Sequence, residues 1–189
     1  MLDLKHPDDA IRLAARLRDA GYSFSLRIAG SGTLEPKLRG MIAQYALESQ
    51  VCLLGSLSPE QVRREMERSA RFLFTSDRHE GWGAVLNEAM NSGCAVVASD
   101  AAGSTPYLVE NSVNGCVYRA GNRNELYENV VRLLEQPSTR EAMGKHAYET
   151  ITNTWNAQEA ARRLVDLIRA ISEGVPSPEL YSEGPCSRA

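Results

Sequence analysis

Glu80-Gly81-Trp82-Gly83-Ala84-Val85-Leu86-Asn87-Glu88-Ala89-Met90-Asn91-Ser92-Gly93 sets two carboxylates eight positions apart, with a glycine-bracketed aromatic after the first. Gly81 and Gly83 permit backbone conformations that bulkier residues resist. From Gly83 to Asn91 the spacing predicts a helix, with Val85, Leu86, Ala89 and Met90 on one face. Glu80 is then expected in the loop at the positive end of that helix, where unpaired amides collect, and Glu88 about a turn and a half further in. Acceptors for hydroxyls beside donors for phosphate suit a ligand that carries both, such as a nucleotide sugar.

Around this stretch, short apolar runs alternate with longer amphipathic segments. Helical spacing over 8–20 (Ile11, Ala14, Ala15, Leu17) stops at Gly21. A strand over 23–29 leads through Gly30-Ser31-Gly32-Thr33 into a helix over 34–48. A strand over 51–54 precedes a helix over 59–68, with Ser58 at its N-cap and Pro59 at its first position. Further strands are expected over 71–75, 95–99 and 115–118, with a short helix over 106–110. Helices over 124–134, 138–152 and 156–172 complete one domain spanning 1–172, and 173–189, rich in Gly, Pro and Ser, reads as an irregular tail. Such alternation argues for an α/β fold, a Rossmann-like parallel sheet with helices on both faces and a helical C-terminal segment. Ligands of these sheets bind outside the carboxyl ends of strands, where the glycine turns fall here.

Composition narrows the classes. The chain has 189 residues, 43% hydrophobic and 24% charged, which suits one globular domain without disulfide or metal staples. A net charge of −3 argues against nucleic-acid or anionic-membrane binding, so any diphosphate site must be locally basic. Cys52, Cys94, Cys116 and Cys186 form no Cys-x-x-Cys pair and read as buried reduced thiols. His6, His79 and His146 are scattered, and Asp77 and Asp100 belong to no Asp-x-Asp pair, so no metal site is expected. No apolar run reaches membrane-spanning length, and the acidic start (Asp3, Asp8, Asp9) lacks a secretion signal's pattern, so a cytoplasmic location is expected.

Several motifs in order carry a family likeness. They are Arg27-Ile28-Ala29-Gly30-Ser31-Gly32, Val51-Cys52-Leu53-Leu54-Gly55, Phe72-Leu73-Phe74-Thr75-Ser76, the opening acidic stretch, Ala95-Val96-Val97-Ala98-Ser99, and Asn114-Gly115-Cys116-Val117-Tyr118. Together, over most of the chain, they resemble the C-terminal, donor-binding half of family-4 GT-B glycosyltransferases. The resemblance implies transfer of a hexosyl group from a nucleoside diphosphate sugar, with retention and without a metal or other cofactor. It also implies a strand and an arginine ahead of Lys5 and an acceptor-binding N-terminal domain, neither of which occurs here. The chain is therefore expected to be an excised half or to need a separate partner, and to transfer nothing alone.

By the same resemblance, Glu80 holds donor-sugar hydroxyls and Glu88 accepts bonds from the ribose in a charge-assisted fork. Backbone amides of Gly81, Trp82, Gly83 and Ala84 would meet the sugar and diphosphate, and Lys5 would neutralise the leaving phosphate. Gly30, Ser31 and Gly32 would admit the nucleotide closely, with Gly55 and the backbone at Leu57 flanking the base. Plainer readings stand beside these: Glu80 as a helix cap, Glu88 as a solvated helix glutamate, Lys5 as an exposed terminal lysine, and Gly55 as a tight turn. The Trp82 side chain reads as structural, and Arg78 and His79 as either leaning into the pocket or solvated. Trp82 stands where the family commonly has Phe, a mild departure, Ala95 where it often has Pro, which bears on local stiffness, and Tyr107 where many members carry Glu, which leaves donor preference open. Other readings are a sugar-nucleotide epimerase or phosphorylase-like enzyme of this fold, or a non-catalytic partner subunit that binds nucleotide sugars. The last helix, with Leu164, Leu167, Ile168 and Ile171, would then be a docking face or ordinary core.

Overall fold

The computed structural model describes residues 1–175 and 180–187. Five strands, β1 (Leu26–Ala29), β2 (Val51–Gly55), β3 (Arg71–Phe74), β4 (Ala95–Ser99) and β5 (Gly115–Tyr118), all pair in parallel. They form a two-stranded segment, β1-β2, and a three-stranded segment in the order β3-β4-β5. The helices are α1 (Pro7–Asp19), α2 (Glu35–Gln44), α3 (Pro59–Glu67), α4 (Val85–Asn91), α5 (Thr105–Leu108), α6 (Arg123–Glu135), α7 (Pro137–Asn153) and α8 (Ala157–Ser172). A short 3-10 helix, Asp3–Lys5, precedes α1.

Strand β4 is buried along its whole length. Its side chains alternate between two cores, as a pleated strand requires. Val96 and Ala98 pack with Leu86, Ala89 and Met90 of α4 and with Ala147 and Ile151 of α7. Ala95 and Val97 pack on the other face with Leu13 and Leu17 of α1 and Leu126 and Leu133 of α6. A third core joins Ile11 and Ala14 of α1 to Leu38 and Ile42 of α2 and Val51 of β2. Helix α1 therefore lies against both sheet segments. Each fully buried Leu or Met in these cores contributes about 1.5–3 kcal/mol.

The expected α/β architecture is present, and the differences lie at element ends. The first strand begins at Leu26, whose N–H meets the Gln50 carbonyl, rather than at residue 23, because Tyr22 and Phe24 turn into the helical cores. Helix α2 ends at Gln44, and Ala46 takes a left-handed φ of 48°. Helix α4 starts at Val85 because Gly83 holds φ 74°, outside helical geometry. The 3-10 helix has no periodic signature at three residues. Cys52, expected buried, is exposed: alternate residues of β1 and β2 face a side bridged to α3 by the Arg27–Glu65 ion pair rather than by apolar packing. All four cysteines are free, and burial pushes the Cys94 thiol up to about 11. In the tail, the described residues adopt turns and bends; 176–179 and 188–189 lie outside the described residues.

Two glycines test the packing in opposite directions. A Cβ on Gly144 of α7 would fall 2.3 Å from the Gly93 carbonyl oxygen, whereas one on Gly40 of α2 meets nothing within 4 Å. Gly144→Ala is expected to cost about 1–3 kcal/mol. Gly40→Ala should stabilise by about 0.5–1 kcal/mol. Urea unfolding of both variants checks the pair, and equal effects would contradict this packing.

Candidate functional site

Within each sheet segment the strands are parallel, so their carboxyl ends share a rim, and the N-terminal segment joins the two rims: Met1 lies against Gly30 and Gly32 after β1, and Leu4 and Lys5 bond to Asp77 and Thr75 after β3. At that junction is the segment after β3. Ser76, only 1% exposed, sets its hydroxyl 3.2 Å from the Glu80 carboxylate. The Lys5 ammonium contacts the same carboxylate oxygen, and the Glu80 side chain is 13% exposed. The 3-10 helix is held there by the chain after β3: Asp77 N–H donates to the Leu4 carbonyl (2.9 Å), and the Thr75 hydroxyl to the Lys5 carbonyl (2.6 Å). The structure thus joins the two residues assigned to the acid and the cation, 75 positions apart.

Asp77 anchors this segment. Its Oδ1 accepts the His79 backbone N–H at 2.8 Å and its Oδ2 faces His6 Nε2 at 3.0 Å. The His79 N–H first, and then the His6 ring, hold its carboxyl down at about 2. Sequence reading named Asp77 only for its lack of an Asp-x-Asp partner. The polar run Thr75-Ser76-Asp77 directly after an apolar strand was the signal that could have marked it. Of its neighbours, His79 leans onto Asp77 and Arg78 is exposed.

The glycine-bracketed loop is set by backbone contact. A Cβ on Gly103 would lie 1.8 Å from the Gly81 carbonyl oxygen, and Ser104 N–H donates to the Trp82 carbonyl at 3.0 Å. Gly83 packs on the Phe74 ring, where a Cβ would come within 2.4 Å. The Trp82 side chain lies at the surface rather than in the core: it is 41% exposed and lies 5.6 Å from both Tyr107 and Trp155 between ring centroids. Its indole N–H donates to Asn87. Two of the family departures, Trp82 and Tyr107, thus meet each other.

Along the other rim, Gly30 (φ 121°) donates its N–H to the Gly55 carbonyl at 2.7 Å, and Ser31 and Ser56 hydroxyls meet at 2.7 Å. Gly32 (φ 148°) lies against the Met1 backbone, and Gly55 holds φ 68°. Leu57 instead lines a cleft of about 320 Å³ beside α3, with Gln61 and Arg64. Ala84 is exposed ahead of α4. Glu88 is exposed on α4, and among the described residues its carboxylate bonds to nothing, nor does it share a partner with Glu80. A larger cavity, about 460 Å³, lies at the ends of β4 and β5 against Asp100, Thr105 and Arg119, and none of the sequence-assigned residues lines it. Among the described residues, no group of three His, Cys, Asp or Glu side chains is placed to hold a metal. No helix among them is long and apolar enough to cross a membrane.

Residues 2–150 match the family model described as glycosyl transferases, group 1. The chain belongs to this family. The amylovoran biosynthesis glycosyltransferase of Erwinia amylovora is 29% identical over 86% of the chain and 41% of its own length. The alpha-D-kanosaminyltransferase of Streptomyces kanamyceticus is 29% identical over 85% and 41%. This group 1 chain therefore spans about two fifths of the length of those relatives. Among solved structures, a variant of S. aureus TarM in complex with UDP superposes with TM-score 0.79, at 23% identity over 88% of this chain and 33% of its own. Anabaena HepE in complex with UDP-glucose gives TM-score 0.77, at 20% identity over 90% and 46%. At those identities the likeness establishes the fold, that of the Rossmann-like halves of GT-B enzymes.

The state of Asp77 gives a pH prediction. Its carboxyl is depressed on folding, so its contribution is present above the ordinary 3.8 and is lost as the pH falls through about 2. Carbon-13 titration of the side chain should show that low midpoint. A midpoint near 3.8 would mean the His79 and His6 contacts do not form.

Proposed function

We propose that residues 1–172 form the donor-binding half of a glycosyltransferase that moves a hexosyl group from a nucleoside diphosphate sugar, with 173–189 outside that half. The observation that carries this reading is the Lys5–Glu80 contact at the end of β3. It places a cation and an acid on one side of a glycine loop, where a diphosphate and a sugar hydroxyl would need them. Structures of the same fold that hold UDP and UDP-glucose support a nucleotide sugar as ligand.

In this reading Glu80, steadied by Ser76, orients the sugar through its hydroxyls. Lys5 releases Glu80 and meets the diphosphate, where charge develops as the bond to the anomeric carbon breaks. The backbone of Gly81, Trp82, Gly83 and Ala84, all but Gly83 exposed residues, lies alongside the phosphates. Glu88, free on α4, takes the ribose hydroxyls, and Gly30, Ser31, Gly32, Gly55 and Leu57 border the nucleoside. The leaving phosphate takes the acceptor's proton, the anomeric configuration is retained, and no metal takes part. The acceptor is positioned by a second domain. Helix α8 supports that need: it contributes no buried residue and leaves Leu164, Val165, Ile168 and Ile171 exposed.

Thermal-shift screening with UDP, GDP and ADP sugars tests the proposal. At least one is expected to raise the melting temperature, and Glu88→Ala is expected to abolish that rise. With roughly 1.5–3 kcal/mol carried by a charge-assisted bond, the variant's affinity should fall about 10- to 150-fold. Equal shifts in both proteins would remove Glu88 from the site.

A further inference from the structure

His6 sits at a joint. Its N–H donates to Asp3 and closes the 3-10 helix, while its carbonyl accepts Asp9 N–H and opens α1. Its backbone is left-handed, φ 43° and ψ 51°, a conformation that side-chain-bearing residues adopt uncommonly. Lys5 is the residue immediately before. Any swing at this joint carries the Lys5 ammonium away from Glu80.

Three consecutive residues are fastened across the joint to two residues after β3. Leu4 is held through its carbonyl by Asp77 N–H, Lys5 through its carbonyl by the Thr75 hydroxyl, and His6 through its ring by the Asp77 carboxylate. Of these three only the last is a side-chain to side-chain tie, and among the described residues it alone bonds to the joint residue's ring. Asp77 is itself fixed, one oxygen serving His79 N–H and the other His6. An ionised carboxylate only accepts, so His6 Nε2 carries the proton and donates.

We propose that His6 and Asp77 form a latch that positions Lys5 beside Glu80. Both are positioning residues, acting on a ligand only through the lysine. This rests on the reading of Lys5 as the cation for the donor's diphosphate. The geometry of the latch itself stands without any ligand.

The test separates the tie from the backbone. His6→Gly removes the ring while giving the left-handed joint the residue that favours it. If the ring tie holds the segment, the Asp77 amide, bonded to Leu4, should exchange about 10-fold faster in His6→Gly, as expected for losing one net hydrogen bond. If the joint needs only its backbone conformation, exchange will be unchanged, and the latch is wrong. Calorimetry then compares UDP with uridine. His6→Gly and Lys5→Met should each weaken UDP and spare uridine, and the double variant should bind UDP no more weakly than Lys5→Met alone. Additive losses, or equal loss of uridine, overturn the proposal. Should the unaltered chain bind no UDP while the Asp77 amide still responds, the donor reading fails and the latch stands.

Discussion

The side chain of Val96 occupies the space a Cβ would need at Gly115, 2.6 Å away, directly across the β4–β5 ladder. Val109 closes in from the other side at 2.7 Å. Only glycine fits that position, so the pairing Val96↔Gly115 cannot slip by a residue without driving a side chain into Val96. With β4 buried on both faces and its register set, the carboxyl ends of β3 and β5 are set as well. The rim on which Glu80, Asp77 and the Gly103 turn stand inherits its geometry from that one close contact. Gly103 repeats the device on the rim itself, letting the turn after β4 press against the Gly81 carbonyl and hold the acidic loop in place.

Strands and helices were legible because their signals are local. Ala95 to Ser99 could be read as a strand from five consecutive residues, and Ser58 as a cap from the proline that follows it; the structure adds Gln61, which completes a capping box. The 3-10 helix was invisible, since three residues show no period. The burial of Ser76 and its approach to Glu80 were equally hidden, because they depend on how the chain after β3 turns back. His6 and Asp77 lie 71 positions apart, and nothing in either neighbourhood advertises the other. Cys52 was misjudged for the same reason: the alternation of β2 shows which residues share a face, but not which face meets a helix.

Lys5 and Glu80 illustrate how little energy need hold a candidate site together. The lysine side chain is 39% exposed, so its ion pair is screened by water and lies in the range of about 0–1 kcal/mol. A diphosphate, carrying more charge than one carboxylate, can displace Glu80 from the ammonium at small cost. In the free chain the same contact keeps both charges compensated in a surface that is otherwise mildly acidic. A stronger, fully buried pair would be harder to open and less suited to exchange of partners.

The two sides of α8 are treated differently. On its polar side, Arg162 and Arg163 converge on Glu159, and the tail folds over them: Tyr181 donates to Asp166 and its ring lies 4.3 Å from the Arg163 guanidinium. That network pulls the Glu159 carboxyl down to about 2. On the apolar side, Leu164 is 50% exposed, Ile168 53% and Ile171 57%. The described residues of the tail pack on the charges rather than on those side chains. An amphipathic helix whose own chain satisfies its polar face leaves its apolar face as the part that gains most from a second surface. In the proposed reading, the domain that positions the acceptor would supply that surface.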